Sequence, residues 1–363
     1  MSASFESYNI KPLNQELMAG TKTKLGNLAK PPGSLGELEE IAIKLSGISG
    51  QTFYDTKKRC VIVFASDNGV VEESVSLAPQ GVTAALALGF ARGMTGCSVL
   101  AKQFGADVIV VDVGINGDIS HSFISNRKIR KSTWNMSRGP AMSRDEAITA
   151  INIGIETAIA AVENGYKLFG VGEIGIGNTT TSAAVLCVLC GIQPEQATGK
   201  GAGLSAASYK NKIDAIKRAL TLNSLNILDP IDVVSKVGGF DIAAMAGAYL
   251  GAAHKGVPVV VDGFISMTAA LVAYRLNPLV KDYMFASHAS SEPGFKIAAE
   301  SIGLMPCLNL NMRLGEGSGC PIMFAIIDAA CAVLREMGTF DEVCIEESYV
   351  EAVKDESFHI RGL

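Results

Sequence analysis

The sequence predicts an α/β fold: an open, mostly parallel sheet with helices on both faces, plus a small helical domain drawn from the N- and C-termini. Three observations carry this reading. Short apolar runs rich in β-branched residues recur along the chain and are continuous rather than alternating, the mark of strands buried on both faces. Ala-rich amphipathic segments separate them, and such alternation implies parallel pairing through crossover helices. The first 25 residues and those from 337 onward carry helical patterns without strands, and chain ends often lie close enough to pack together.

In order, the strands read at 60–66 (CVIVFAS), 106–114 (ADVIVVDVG), 166–172 (YKLFGVG), 257–263 (VPVVVDG) and 282–288 (DYMFASH). The clearest helix, SRDEAITAINIGIETAIAAVENG, opens on Ser143 as N-cap and closes at Gly165. The expected division is an α/β domain over 26–336 and a helical domain over 1–25 with 337–363. Each strand ends in small or polar residues: Ser66-Asp67-Asn68-Gly69, Asp112-Val113-Gly114, Gly172-Glu173, Asp262-Gly263 and Ser287-His288. Ligands of open parallel sheets lie beyond the carboxyl ends of the strands, so these tips are expected to share one cleft. Taken singly, each is an ordinary turn into a helix.

Composition narrows the function. Hydrophobic residues make up 48% of the 363 and charged ones 18%, so many helices must bury apolar faces, some of them against another subunit, and a homo- or hetero-oligomer is expected. With 31 basic and 36 acidic residues, a net charge of −5 and no basic tract, nucleic acid is not expected as a partner. No charged segment leads into an apolar one at the N-terminus and no apolar run reaches 18 residues, so no membrane partner is expected and the reading is cytoplasmic. The eight cysteines read as reduced core residues; Cys187 and Cys190 form a C-x-x-C, but AVLCVLCGI is uniformly apolar with no second pair and no His nearby. Neither a metal nor a cofactor is expected.

Two loops carry the chemistry. In LFGVGEIGIGNTTTSAAV, Gly170, Gly172 and Gly175 spell the dinucleotide pattern G-x-G-x-x-G, yet the last Gly does not open a helix, and no Lys follows to make a P-loop. A glycine-rich turn entering a helix through Asn178, Thr179 and Thr180 still gathers N–H groups and hydroxyls at one point, which suits phosphate. The alternative is a tight turn with a polar N-cap. In NMRLGEGSGCPIMF, Glu316 lies between Gly315 and Gly317 ahead of an apolar helix. A carboxylate held there can be partly desolvated and become a stronger base; the alternative is a first-turn Glu favouring the helix dipole. Glu173 repeats the arrangement. A phosphate cradle with one or two carboxylates and no metal set suits group transfer at a sugar phosphate better than phosphoryl transfer.

Seven collinear motifs, KPPGSLGELE (30–39), FASDNGVV (64–71), GEIGIGNTTTSAA (172–184), GGFDIAAMAGAYLGAA (238–253), VDGFISMTAALVA (261–273), SHASSEPG (287–294) and NMRLGEGSG (311–319), resemble the nicotinate-nucleotide:dimethylbenzimidazole phosphoribosyltransferases of cobalamin biosynthesis over nearly the whole chain. The resemblance implies a dimer that transfers the phosphoribosyl group of nicotinate mononucleotide to the lower-ligand base of a cobamide, giving an α-riboside phosphate and nicotinate. It implies Glu316 as catalytic base and Glu173 as a second carboxylate. Gly175, Gly177, Asn178, Thr179 and Thr180 fall on the phosphate loop, and Lys212, Ser290, Gly317 and Gly319 on further nucleotide contacts.

The sequence departs from that family at two places. Asn68 replaces the His of a D-H-G motif. Around the acceptor, Ala85 and Leu86 stand where relatives place a Gln, Ala78 and Pro79 where they place a Ser, and Leu314 completes the pocket. An apolar pocket favours phenol or p-cresol over dimethylbenzimidazole, as in phenol-activating relatives that work as paired related subunits, making a homodimer or a heterodimer with a related chain equally consistent. Gln80 is the residue able to restore a polar contact. The competing readings are a dimethylbenzimidazole-specific enzyme and a non-catalytic paralogous subunit; an NAD-dependent dehydrogenase lacks both fingerprint and hydride-handling residues.

Overall fold

The computed structural model describes residues 8–199 and 205–346. Six parallel strands, β1 (Arg59–Ser66), β2 (Asp107–Gly114), β3 (Ile124–Asn126), β4 (Leu168–Ile174), β5 (Val259–Val261) and β6 (Met284–Ala286), form one sheet in the order β3-β2-β1-β4-β5-β6. Chain order reverses between β1 and β4, so the crevice beyond their carboxyl ends is the expected ligand site. Cys60 to Ala65 of β1 have no exposed surface, which is why that strand reads as an unbroken apolar run. The sequence predicts five strands; the sixth, β3, is ISN with two exposed residues and carries too little apolar signal. β5 and β6 are shorter than expected, leaving Asp262-Gly263 and Ser287-His288 in the turns beyond them.

The helices are α1 (Gln15–Gly26), α2 (Glu37–Ser49), α3 (Gly81–Ala91), α4 (Gly96–Gln103), α5 (Arg144–Glu163), α6 (Asn178–Cys190), α7 (Pro194–Ala197), α8 (Ala206–Leu222), α9 (Pro230–Val237), α10 (Phe240–His254), α11 (Phe264–Leu276), α12 (Pro293–Ile302) and α13 (Cys320–Glu336). Helix α5 begins with the expected Ser143 in a reciprocal capping box, its hydroxyl accepting Glu146 N–H at 3.1 Å while Glu146 accepts Ser143 N–H at 2.8 Å. The apolar excess of the composition resides largely in α10 and α11, which are buried from Phe240 to Ala253 and from Phe264 to Ala273. Small residues let α10 approach α5 closely: a Cβ on Gly247 would lie 1.9 Å from the Ile151 carbonyl oxygen.

One stretch, Gly81–Gln103, is long and apolar enough by composition to cross a membrane, contrary to the expectation of no such run. The chain breaks it at Arg92–Thr95 into α3 and α4, of 11 and 8 residues, each short of the roughly 20 that a span requires.

The chain divides into two compact units, Met1–Lys11 with Lys58–Met323 and Pro12–Lys57 with Phe324–Leu363. The first holds the sheet. The second is helical and takes segments from both ends of the chain, but its bounds differ from those the sequence suggests: 26–57 belong to it, 8–11 belong to the first unit, and its C-terminal part begins inside α13. Local bonds explain the shift. Lys30 Nζ meets Glu39 Oε1 at 2.7 Å, both groups buried; Asn14 N–H donates to the Gly47 carbonyl at 3.0 Å, Ala29 N–H to the Gly338 carbonyl at 2.9 Å, and Thr56 hydroxyl to Asp328 Oδ1 at 2.6 Å. The expected helical segments at 1–7 and 347–363 lie outside the described residues.

Candidate active site

A cavity of about 360 Å³ opens beyond the carboxyl ends of β4, β5 and β6, within the size range of small-ligand sites. Ten of the candidate positions lie on its wall: Glu173, Gly175, Gly177, Asn178, Thr179, Ser290, Glu316, Ala78, Leu86 and Leu314. Thr180, Lys212, Gly317, Gly319, Pro79 and Ala85 do not, each for a physical reason given below.

The glycine-rich loop leaves β4 and enters α6 at Asn178, with Gly177 at φ 95° as N-cap. Only a residue without Cβ fits at 175, where a Cβ would lie 2.0 Å from the Ser66 carbonyl oxygen. Ile176 N–H donates to Thr83 Oγ1 at 3.1 Å, and Thr83 hydroxyl to Asp67 Oδ1 at 2.6 Å, so α3 braces the loop. The N-terminus of a 13-residue helix therefore faces the cavity and favours an anion there. Thr180 is one step inside: its N–H bonds back to the Gly177 carbonyl at 3.0 Å and its hydroxyl is buried. Lys212 is 1% exposed beneath the loop, donating to Thr179 Oγ1 at 2.9 Å and the Gly199 carbonyl at 3.4 Å. Burial lowers its pKa to about 8, with Glu292 opposing. Its charge thus reaches the cavity through Thr179 rather than by direct exposure.

Opposite the loop stands Glu316 at φ 66°, between Gly315 at 82° and Gly317 at 80°. A non-glycine residue in this region costs roughly 1–3 kcal/mol and persists only where the surroundings impose it. Here Asp262 does so: its Oδ2 accepts Gly317 N–H at 3.1 Å and its Oδ1 accepts Gly319 N–H at 2.7 Å. Gly172 completes the seat, since a Cβ there would meet Gly317 N at 2.5 Å. Gly317 and Gly319 therefore shape the turn instead of lining the cavity. Glu316 Oε2 accepts Cys97 N–H at 3.3 Å; burial raises its carboxyl above the ordinary range, while the N–H groups of Cys97 and Gly96 oppose. Glu173 joins the two loops, accepting Glu316 N–H at 3.3 Å through Oε1 and the Asn178 amide through Oε2. Burial first, then the nearby Asp241, push Glu173 to about 8.

Sequence reasoning marks Asp262 and His288 only as strand tips. His288, 3% exposed and on the cavity wall, has Nδ1 3.0 Å from Ser287 Oγ and 3.9 Å from Asp262 Oδ1. Burial raises Asp262, opposed by His288 and by backbone N–H groups. The signal for Asp262 is its place after VVV, two residues ahead of a helix. Arg313 is a cation on the wall that sequence reasoning misses; its neighbour Glu316 draws the attention.

The remaining wall is apolar, formed by Val75, Leu77, Ala78, Val82, Leu86 and Leu314, with Ser76 among them. Ser76 hydroxyl is engaged locally, donating to the Ala78 carbonyl at 3.2 Å and accepting Ala78 N–H at 3.1 Å. Val82 and Leu86 share one face of α3 by their four-residue spacing, and Ala85 turns to solvent on the next. Pro79 likewise points outward after Ala78. Gln80 is off the wall as well, its amide bonded to the Asn68 carbonyl, Ser132 and Asn116.

Residues 10–345 match the family model described as phosphoribosyltransferase. The chain is 52% identical to the nicotinate-nucleotide-dimethylbenzimidazole phosphoribosyltransferase of Clostridium perfringens, covering 97% of both chains, and 49% identical to the protein of that name from Acetivibrio thermocellus, covering 93% of this chain and 97% of that one. A crystal structure of the Thermus thermophilus enzyme of this name superposes with a TM-score of 0.87 at 37% identity, over 92% of this chain and 99% of that one. Sheet order, the two glycine-bounded loops and these similarities agree: the chain belongs to the nicotinate-nucleotide-dimethylbenzimidazole phosphoribosyltransferase family.

Proposed function

We propose that this protein transfers the phosphoribosyl group of nicotinate mononucleotide to an aromatic acceptor, releasing nicotinate and forming an α-riboside phosphate for the lower ligand of a cobamide, as a step of cobalamin biosynthesis. The carrying observation is Glu316, a desolvated carboxyl at a positive φ facing a helix N-terminus across one cavity. Nicotinate bound through its ring nitrogen is cationic and leaves C1′ as a neutral pyridine, so no acid is needed. The C1′–N bond breaks as the acceptor bonds to C1′ from the opposite face, which inverts β to α; Glu316 takes the acceptor's proton. The loop from Gly175 to Thr180, with Lys212 behind Thr179, holds the phosphate without a metal, and Glu173 ties that loop to Glu316. Ser290 contacts the nucleotide.

The acceptor we favour is phenol or p-cresol. A benzimidazole nitrogen against Leu86, Ala78 and Val82 would give up a hydrogen bond to water for no partner, at a cost of roughly 1–3 kcal/mol. A phenol carries one polar atom, which must face Glu316 in any case, and its pKa near 10 makes a base necessary. The names of the relatives favour dimethylbenzimidazole as the second reading. Equimolar competition decides: phenolic riboside is the expected main product, and its absence refutes the preference while leaving the reaction class standing. The protein is proposed to act in the cytoplasm as a dimer, with itself or with a related chain, in keeping with the exposed Leu77 on the cavity wall and the exposed Met94 and Val99.

A further inference from the structure

Behind the phosphate loop lies a buried polar knot outside the reacting centre. Asp241, second residue of α10, has no exposed surface. Its Oδ1 accepts Ile242 N–H at 3.0 Å, and its Oδ2 is buried with no hydrogen-bond partner among the described residues. Asn68, at the end of β1, is equally buried, and its Oδ1 also lacks a donor. The two side chains converge on one spot: a Cβ on Gly239 would lie 2.3 Å from Asp241 Oδ1 and 2.5 Å from Asn68 Oδ1. The side chains of Asn178, whose amide bonds Glu173, and of Asn68 itself both oppose the effect of burial on the Asp241 carboxyl.

Acceptor oxygens brought together in a dry interior call for a proton, because a buried anion without a cation is far costlier than a neutral acid. Resting on the phosphate-binding role assigned to this loop, we propose that Asp241 is a positioning residue that works as a neutral acid. Its O–H is the donor that Asn68 Oδ1 lacks. The neutral carboxyl leaves the Asn178 amide to Glu173 at the first turn of α6, and it keeps negative charge away from the anion held there.

Burial raises Asp241 to about 7 and Glu173 to about 8, consistent with this arrangement. Among the described residues no cation is bonded to Asp241. Glu173 on β4 is a second buried acid, itself raised by burial and then by Asp241. Asp67 on the β1 turn is bonded to Thr83 and Asn116 N–H, and Asp262 beyond β5 acts on Glu173. Arg130 stacks 5.2 Å from the Phe240 ring but bonds Glu146 at 2.7 Å. Rising pH therefore places negative charge behind the helix N-terminus, and phosphate affinity falls.

The test is calorimetric titration of the full-length chain with nicotinate mononucleotide and, separately, inorganic phosphate at about pH 6 and about pH 9. Wild type is compared with Asp241→Asn and Asp241→Leu, so that ionisation of the ligand cancels. The amide N–H of Asn mimics the acid O–H. Asp241→Asn is expected to bind about 10-fold more tightly than Asp241→Leu at the lower pH, and to lose part of the weakening that wild type shows between the two, the rest coming from Lys212, which burial lowers to about 8. An Asp241→Asn variant as weak as Asp241→Leu, with unchanged circular dichroism, would mean that the carboxylate form is needed and would overturn the proposal. So would an identical pH dependence in wild type and Asp241→Asn, or no binding of either probe by wild type. Failure of the transfer reaction with the binding pattern intact would refute the proposed function alone.

Discussion

The two walls of the cavity are built by different means. The donor wall is largely backbone: the turn at Gly175–Asn178, the N-terminus of α6, and a coil of three left-handed residues around Glu316 anchored by Asp262. The acceptor wall is side chains, Val75 to Leu86 and Leu314, partly open to solvent; Leu314 is 58% exposed. Backbone sites are held by sterics and a mesh of N–H bonds, so few substitutions fit there. A wall of side chains changes its preference with one residue. On the proposed function, the reaction type resides in the first wall and the choice of acceptor in the second.

The largest effect should come from the donor wall. Glu316→Gln keeps shape and removes the base, so kcat is expected to fall by roughly 10²- to 10⁴-fold with binding of nicotinate mononucleotide retained; steady-state kinetics beside calorimetry checks this, and a variant keeping more than about a tenth of the rate would break the assignment. A second effect lies in stability. Glu173 and Asp241 have folded-state pKa values raised from 4.5 to about 8 and from 3.8 to about 7. The folded state then holds more protons than the unfolded one, and stability falls as pH rises from about 5 to about 8, by an amount on the order of a few kcal/mol. Thermal melts across that window should show the fall, and Asp241→Asn should lessen it.

The sequence makes the donor wall legible and the acceptor wall only partly so. β1, β2 and β4 are plain because their buried stretches read as near-continuous apolar runs, interrupted only near their carboxyl ends by Asp112 and Glu173, and Glu316 stands out between two glycines. Asp262, which holds the Glu316 turn in shape, is hidden because its partners are backbone N–H groups more than 50 residues along the chain. On the acceptor side, Ala78 and Leu86 face the cavity while Pro79 and Ala85 face solvent, a distinction set by one step along the chain that alignment to a motif does not resolve. Extension of the small unit to Lys57 escapes the sequence because its bonds, such as Lys30 to Glu39, carry no periodic signature.

Smaller effects sharpen the contrast. Gly175→Ala should raise KM for nicotinate mononucleotide about 10-fold or more while the acceptor ratio stays fixed, because its Cβ would press on the Ser66 carbonyl and shift the loop. Leu86→Gln should do the reverse, moving the phenol-to-benzimidazole product ratio by about 10-fold through one regained hydrogen bond, with the KM for donor unchanged. A Leu86→Gln variant that altered donor KM as well would show that the walls are not independent.

The most direct test of the central claim is the anomeric configuration and stoichiometry of the product, read by NMR after incubating the protein with nicotinate mononucleotide and an aromatic acceptor. An acceptor attacking from the face opposite nicotinate must yield the α-riboside phosphate, with one nicotinate released per riboside formed. A β-riboside, or nicotinate released with free ribose phosphate and no riboside, would contradict the account.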